Sequence, residues 1–165
     1  MKFAPLDLFT KRSAEFSPCR SYRYVLKIVW DESLPLAAFI ALNPSTADEY
    51  QDDPTLRRDR GFAESWGMGG IVKLNAFAYR ATNPKDMLVH SDPIGPGNTV
   101  DMMRTVLAAC PGPKVACWGA HGTHLGRGEV LKTQLPGLQC FGLNADGTPK
   151  HPLYLAASTA LVPFN

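Results

Sequence analysis

The segment LAAFIAL at 36–42 is an unbroken apolar run, stopped at Asn43 and Pro44. It is too short for a core helix and has no polar position facing solvent. That pattern predicts a strand covered on both faces, as strands of parallel sheets are. Proline ends it, because proline cannot donate to the next rung of a ladder. Three further stretches read the same way: IVKLNAF at 71–77, with Asn75 as its polar intruder, KVACW at 114–118, and LQCFGL at 138–143. YRYVLKIVW at 22–30 alternates and is rich in β-formers, which predicts another strand.

Helical signals fall between these runs. Asp53 before Pro54 suits an N-cap and a first helical position, predicting a helix over 53–66 that stops at Gly67. Asn98 is placed to cap a helix through Cys110, with Val100, Met103, Val106 and Leu107 on one face. Shorter helices are expected over 128–135 and after Pro152. Strands alternating with helices predict an α/β fold, a three-layer α/β/α sandwich around a mostly parallel central sheet of four to five strands. At 165 residues, without repeat or linker, the chain reads as an irregular N-terminal arm over 1–21 and one domain over 22–165.

Composition narrows the function. Hydrophobic residues make up 45% and charged residues 19%, enough for a packed core and too apolar for disorder. The 14 glycines and 14 prolines fit a loop-rich α/β protein better than a helical bundle. A net charge of +2, from 17 basic and 15 acidic residues, excludes binding of nucleic acid by bulk electrostatics and leaves room for a local basic groove. The four cysteines form no CxxC pair, and buried reduced thiols are expected. His121 and His124 lack the partners a metal site needs, so neither metal nor cofactor is expected. No segment approaches 18 apolar residues and MKFAPLDLFTKRSAEF has no signal-peptide core, so a cytoplasmic protein without membrane contact is expected.

In open parallel α/β sheets ligands bind beyond the carboxyl ends of the strands. Those positions hold Asn43 to Asp48 in NPSTAD, Asn75, Phe77, Tyr79 and Arg80 in LNAFAYR, His121 in WGAHG, and Lys150 and His151 in the loop TPKHPLY. Amides, imidazoles, aromatics and glycines on one rim suit recognition of a neutral polar heterocycle. Phosphate-cradle glycine motifs are absent. Simpler readings stand beside this one. Asn43 before proline suits an Asx-turn, and His151 before Pro152 suits a turn. Asp48, Glu49, Asp52 and Asp53 suit a solvated loop, and Arg57, Arg58 and Arg60 a solvated helix face. Asn75 is harder to dismiss, because an unpartnered buried amide costs about 1–3 kcal/mol.

The ordered set FIALNPSTAD, DDPTLRR, LNAFAYRAT, DPIGPGN, WGAHG and GTPKHPLYL resembles a bacterial family described as a domain of unknown function, number 1643. The chain is also similar to the uracil-DNA glycosylase superfamily at four short motifs in the same order. Residues 41–45 (ALNPS) resemble its Gly-x-Asn-Pro-Gly motif, Asn75 its base-reading asparagine, 118–121 (WGAH) its Trp-Gly-x-His segment, and 151–155 (HPLYL) its His-Pro-Ser-Pro-Leu motif. Ala41 and Ser45 depart from the two glycines of the first motif, and Tyr154 from the second proline of the last.

The resemblance implies hydrolysis of the N-glycosidic bond of a damaged or modified base in DNA. Asn43 or Asp48 would orient water, and His151 would donate to the departing base oxygen. Asn75, with Ser45 and His121, would bind the base edge, and Phe77 or Tyr50 would stack on it. Arg80, Arg127 and Lys150 would hold phosphate, helped by backbone N–H groups of Gly119 and Gly122. The expected partner is DNA, single-stranded or modified, or a small nucleotide. Two other classes stay open: an enzyme acting on a free nucleoside or nucleotide, and a non-catalytic binding module.

Overall fold

A computed structural model describes residues 10–46 and 53–165 of the protein. Its centre is a mixed sheet of seven described strands: β1 (Lys11–Phe16), β2 (Arg23–Val29), β3 (Leu36–Ala41), β4 (Gly70–Asn75), β5 (Lys114–Ala116), β6 (Gln139–Cys140) and β7 (Val162–Pro163). The strand order is β1-β2-β4-β3-β5-β6-β7. The inner strands β4, β3, β5 and β6 run parallel to one another, whereas β2 joins β4 antiparallel, β1 joins β2 antiparallel, and β7 joins β6 antiparallel.

The four apolar runs therefore lie in one sheet, but that sheet is mixed rather than mostly parallel, and larger than four to five strands. Residues 11–16, expected as part of an irregular arm, are an edge strand. KRSAEF alternates exposed and half-buried positions, which fits an edge, and its charges discourage further pairing there. The segment after Pro152 makes turns and the short β7 instead of a helix.

Helices follow the parallel strands. Helix α1 (Pro54–Ser65) begins as the sequence suggests: Asp53 Oδ1 accepts from the Leu56 N–H at 2.7 Å, Pro54 takes a position that needs no donor, and Gly67 turns the chain out at φ +76°. Helix α2 (Pro84–Val89) is capped by Asn83. Helix α3 (Val100–Ala108) is capped by Thr99, not Asn98, whose amide is used elsewhere. Helix α4 (Arg127–Gln134) follows a 3-10 stretch over Ala120–Gly126.

Two buried clusters cover the sheet. Alternate residues Ala37, Phe39 and Ala41 of β3 pack with Leu56, Phe62 and Ala63 of α1, while Ala38 and Ile40 pack with Met87, Met103, Leu107 and Leu131 from α2, α3 and α4. This two-sided cover is why 36–42 carries no polar residue.

Candidate functional site

The chain runs from β3 through α1 to β4 on one side, then returns past β3 to β5 on the other. The strand order thus reverses between β3 and β5, and two neighbouring carboxyl ends diverge there to leave a crevice. A cavity of about 450 Å³ occupies that position. Asn43 and Ser45 reach it from the end of β3, Asn75 from the last position of β4, Gly119 and His121 from the segment after β5, and His151 from the loop after β6. Asp53 and Leu56 at the start of α1 close one wall.

Asn43 is anchored. Its Nδ2 donates to the carbonyls of Ala81 (2.9 Å) and Pro44 (3.1 Å), which uses both amide hydrogens and leaves Oδ1 as its remaining acceptor. Asn75 is the opposite case. It is 2% exposed, and its Nδ2 has no hydrogen-bond partner among the described residues. Its strand is held by other means: Asn98 Nδ2 donates to the carbonyls of Asn75 (2.9 Å) and Ala76 (3.2 Å).

His151 stays exposed at the rim, and its Nδ1 accepts the Leu153 N–H at 3.2 Å. That bond leaves Nε2 to carry the proton of the neutral ring. Packing against the cavity wall lowers the imidazole pKa below the ordinary histidine value, and the Lys73 ammonium acts in the same direction.

Lys73 is a cavity residue that the reading of the β4 run as having one polar intruder passed over. It lies two positions before Asn75, on the same side of β4, and its Nζ donates to Asp59 Oδ2 on α1 in a fully buried ion pair. Burial pushes the Asp59 carboxyl up, and the Lys73 ammonium only partly offsets it. Burial is the largest influence on Lys73 and pulls its amine down, but the nearby Asp59, Cys117 and Asp53 together outweigh it and leave the amine above the ordinary lysine range. The signal was present in IVKLNAF: a lysine at i and an asparagine at i+2 place two polar groups on one face of an otherwise apolar strand. Arg23, which was not singled out, also lines the cavity, as does Trp118, read as part of the WGAH segment but given no role of its own.

Several expected ligand contacts are committed elsewhere. Phe77 is wholly buried against the α2–α4 side and lies 5.6 Å from the His124 ring, so it is no stacking platform for the cavity. Arg127 is buried, donating to the carbonyls of Ala76 (2.9 Å) and Asn98 (2.7 Å). Arg80 donates to the carbonyls of Arg20 and Thr46, both at 3.0 Å, and lies over the Phe16 ring. The Gly119 N–H is bonded to Pro149 and the Gly122 N–H to Gly119, so neither is offered to a phosphate. Gly122 instead lets the chain pass the Trp118 ring, where a Cβ would sit 2.0 Å from a ring carbon. Lys150 is half-buried outside the cavity wall. Asp48 and Tyr50 lie outside the described residues.

Among the described residues no group of three or more His, Cys, Asp and Glu is placed to hold a metal, and no helix is long and apolar enough to cross a membrane. Cys110, Cys117 and Cys140 are buried free thiols, with Cys117 pushed up to about 12 by burial, and Cys19 is an exposed free thiol.

No curated protein and no solved structure matches the chain. The family model described as Protein of unknown function (DUF1643) matches residues 23–153, a span that includes every cavity residue named above, and the chain therefore belongs to that family.

Proposed function

We propose that the cavity recognises a nucleobase and hydrolyses the N-glycosidic bond of a damaged or modified base, on a three-layer scaffold akin to that of uracil-DNA glycosylases. The observation that carries this reading is Asn75: a buried amide at the end of β4, facing a cavity of base or nucleoside size, with its Nδ2 unpartnered among the described residues. Such a group costs about 1–3 kcal/mol in the free protein, and a ligand edge with a matching acceptor recovers it.

The other side chains take complementary parts. Asn43 Oδ1, its amide hydrogens already used, accepts a hydrogen bond from water and orients it. His151, neutral and with Nε2 as its donor, stabilises charge departing on a base oxygen without adding a cation of its own.

One observation favours a second reading, a free nucleoside or nucleotide as the ligand. Arg80 and Arg127 are spent on backbone carbonyls, which removes two of the cations that would grip a polynucleotide backbone.

The test is abasic-site formation across oligonucleotides bearing damaged and modified bases, beside calorimetric binding of the corresponding free nucleosides. Abasic product that disappears in Asn75→Ala supports the hydrolase. Nucleoside binding without product, insensitive to salt, supports the second reading. Neither product nor binding by any member of the panel overturns both.

A further inference from the structure

The ion pair between Lys73 and Asp59 is not used by the chemistry described above. Lys73 lies in the cavity wall with its side chain 6% exposed, and Asp59 stands behind it at 0%. Replacing a buried ion pair by apolar residues is often neutral or stabilising, so the pair is weak evidence for a role in stability. One of its atoms is also unsatisfied: Asp59 Oδ1 is buried and has no hydrogen-bond partner among the described residues. A carboxylate denied that bond is a stronger base than one fully solvated by donors.

These features are those of a lysine nucleophile with an adjacent base. We propose that Lys73 condenses with the C1′ aldehyde of a sugar bound in the cavity, with Asp59 receiving the proton that Lys73 must lose. Lys73 rests protonated against the Asp59 carboxylate, and the amine is freed only when a proton passes from Nζ to Oδ2, a step that removes two buried charges at once. The neutral amine then attacks the C1′ carbonyl carbon, the new C–N bond forms, and the carbonyl π pair moves to oxygen. That oxygen takes the proton held by Asp59 and a second proton from the nitrogen, and leaves as water while the nitrogen lone pair closes the C=N bond. The product is a protonated imine beside a regenerated Asp59 carboxylate. Atoms and charge balance, and no oxidant or reductant is consumed.

The choice of a sugar aldehyde rests on the nucleobase reading, because loss of a base leaves C1′ as a hemiacetal in equilibrium with its open aldehyde. The experiment nevertheless needs no base. The full chain is incubated with a single-stranded oligonucleotide containing a 2-deoxyribose abasic site, or with free 2-deoxyribose 5-phosphate, and the imine is reduced with sodium borohydride. The expected result is an irreversible adduct mapped to Lys73 by peptide mass spectrometry, with the two probes distinguishing a polynucleotide source from a free sugar. Lys73→Arg keeps a cation opposite Asp59 and should lose the adduct without losing the fold. Asp59→Asn should slow trapping at least about tenfold. No adduct with either probe in correctly folded wild-type protein, or an adduct that persists in Lys73→Arg, overturns the proposal. Base recognition by Asn75 is left standing in that event, because nucleoside affinity is measured separately.

Discussion

Asn98 donates its amide to the backbone carbonyl of Asn75 at 2.9 Å, while the side chain of Asn75 keeps its own Nδ2 without a partner among the described residues. The strand end is thus fixed through its backbone, and the amide is spared for the cavity. A residue held this way is pre-organised, and a ligand that engages it pays little to order it.

Replacing Asn75 by alanine should therefore weaken binding of the best nucleoside by about 1–3 kcal/mol, the range of a good bidentate base contact. The melting temperature should move by no more than a few degrees, since Nδ2 donates to no described residue. Calorimetric titration and differential scanning calorimetry measure the two quantities. Unchanged affinity with a large drop in melting temperature would assign Asn75 a structural role.

His151 sets a pH dependence. Its pKa is lowered in the folded chain by packing against the cavity wall and by Lys73, whereas in the unfolded chain it titrates near 6.5. Below that value the unfolded chain takes up a proton that the folded chain resists, so stability falls as the pH drops from 6.5 toward the lower folded pKa. Melting temperatures of wild type and His151→Gln between pH 7.5 and 5 should diverge (a buffer range chosen to bracket about 6.5), with the wild type losing more. Parallel curves would show that the imidazole is not held neutral.

Arg127→Met keeps much of the side-chain volume and removes both donors to Ala76 and Asn98. Leaving buried carbonyls short of a donor should cost about 2–4 kcal/mol, read by denaturant unfolding. Full stability with loss of affinity for a phosphate-bearing ligand would return Arg127 to the phosphate-binding role that its position in the sequence suggests.

Gly119 and Gly122 should fail for different reasons when changed to alanine. At Gly122 a Cβ meets the Trp118 ring at 2.0 Å, and overpacking of this kind costs about 1–3 kcal/mol. At Gly119 a Cβ meets nothing within 4 Å, but φ +71° with ψ −168° is a conformation open essentially to glycine alone, costing a similar ~1–3 kcal/mol. Relief by Trp118→Ala, which removes the ring atoms that the new Cβ meets, is expected for Gly122→Ala only, a double-mutant comparison of unfolding free energies.

The four parallel strands, the capped start of α1 and the strand ends that meet at the cavity were legible from residue pattern. These are encoded locally: unbroken apolar runs, an Asp-Pro cap and chain-breaking Asn43-Pro44 act over a few residues and owe little to distant contacts. What each side chain near the site is bonded to depends on contacts between distant parts of the chain. Phe77 was expected to stack in the cavity because it follows Asn75 where the strand ends. The strand ends at Asn75, the chain turns, and Phe77 enters the opposite cluster. Arg127 and Arg80 look like phosphate ligands in sequence, since a cation does not reveal which distant carbonyl will claim it. Asn98 was displaced from its capping role by a bond to a strand 23 residues away, with Thr99 taking the cap. Edge strands β1 and β7 escaped notice for the same reason, because β1 is half-exposed, β7 is two exposed residues, and both exist only through the neighbours they pair with. Hydrophobic period is a local property of the chain, whereas the partner of a polar group is settled by whatever the fold brings within about 3 Å of it.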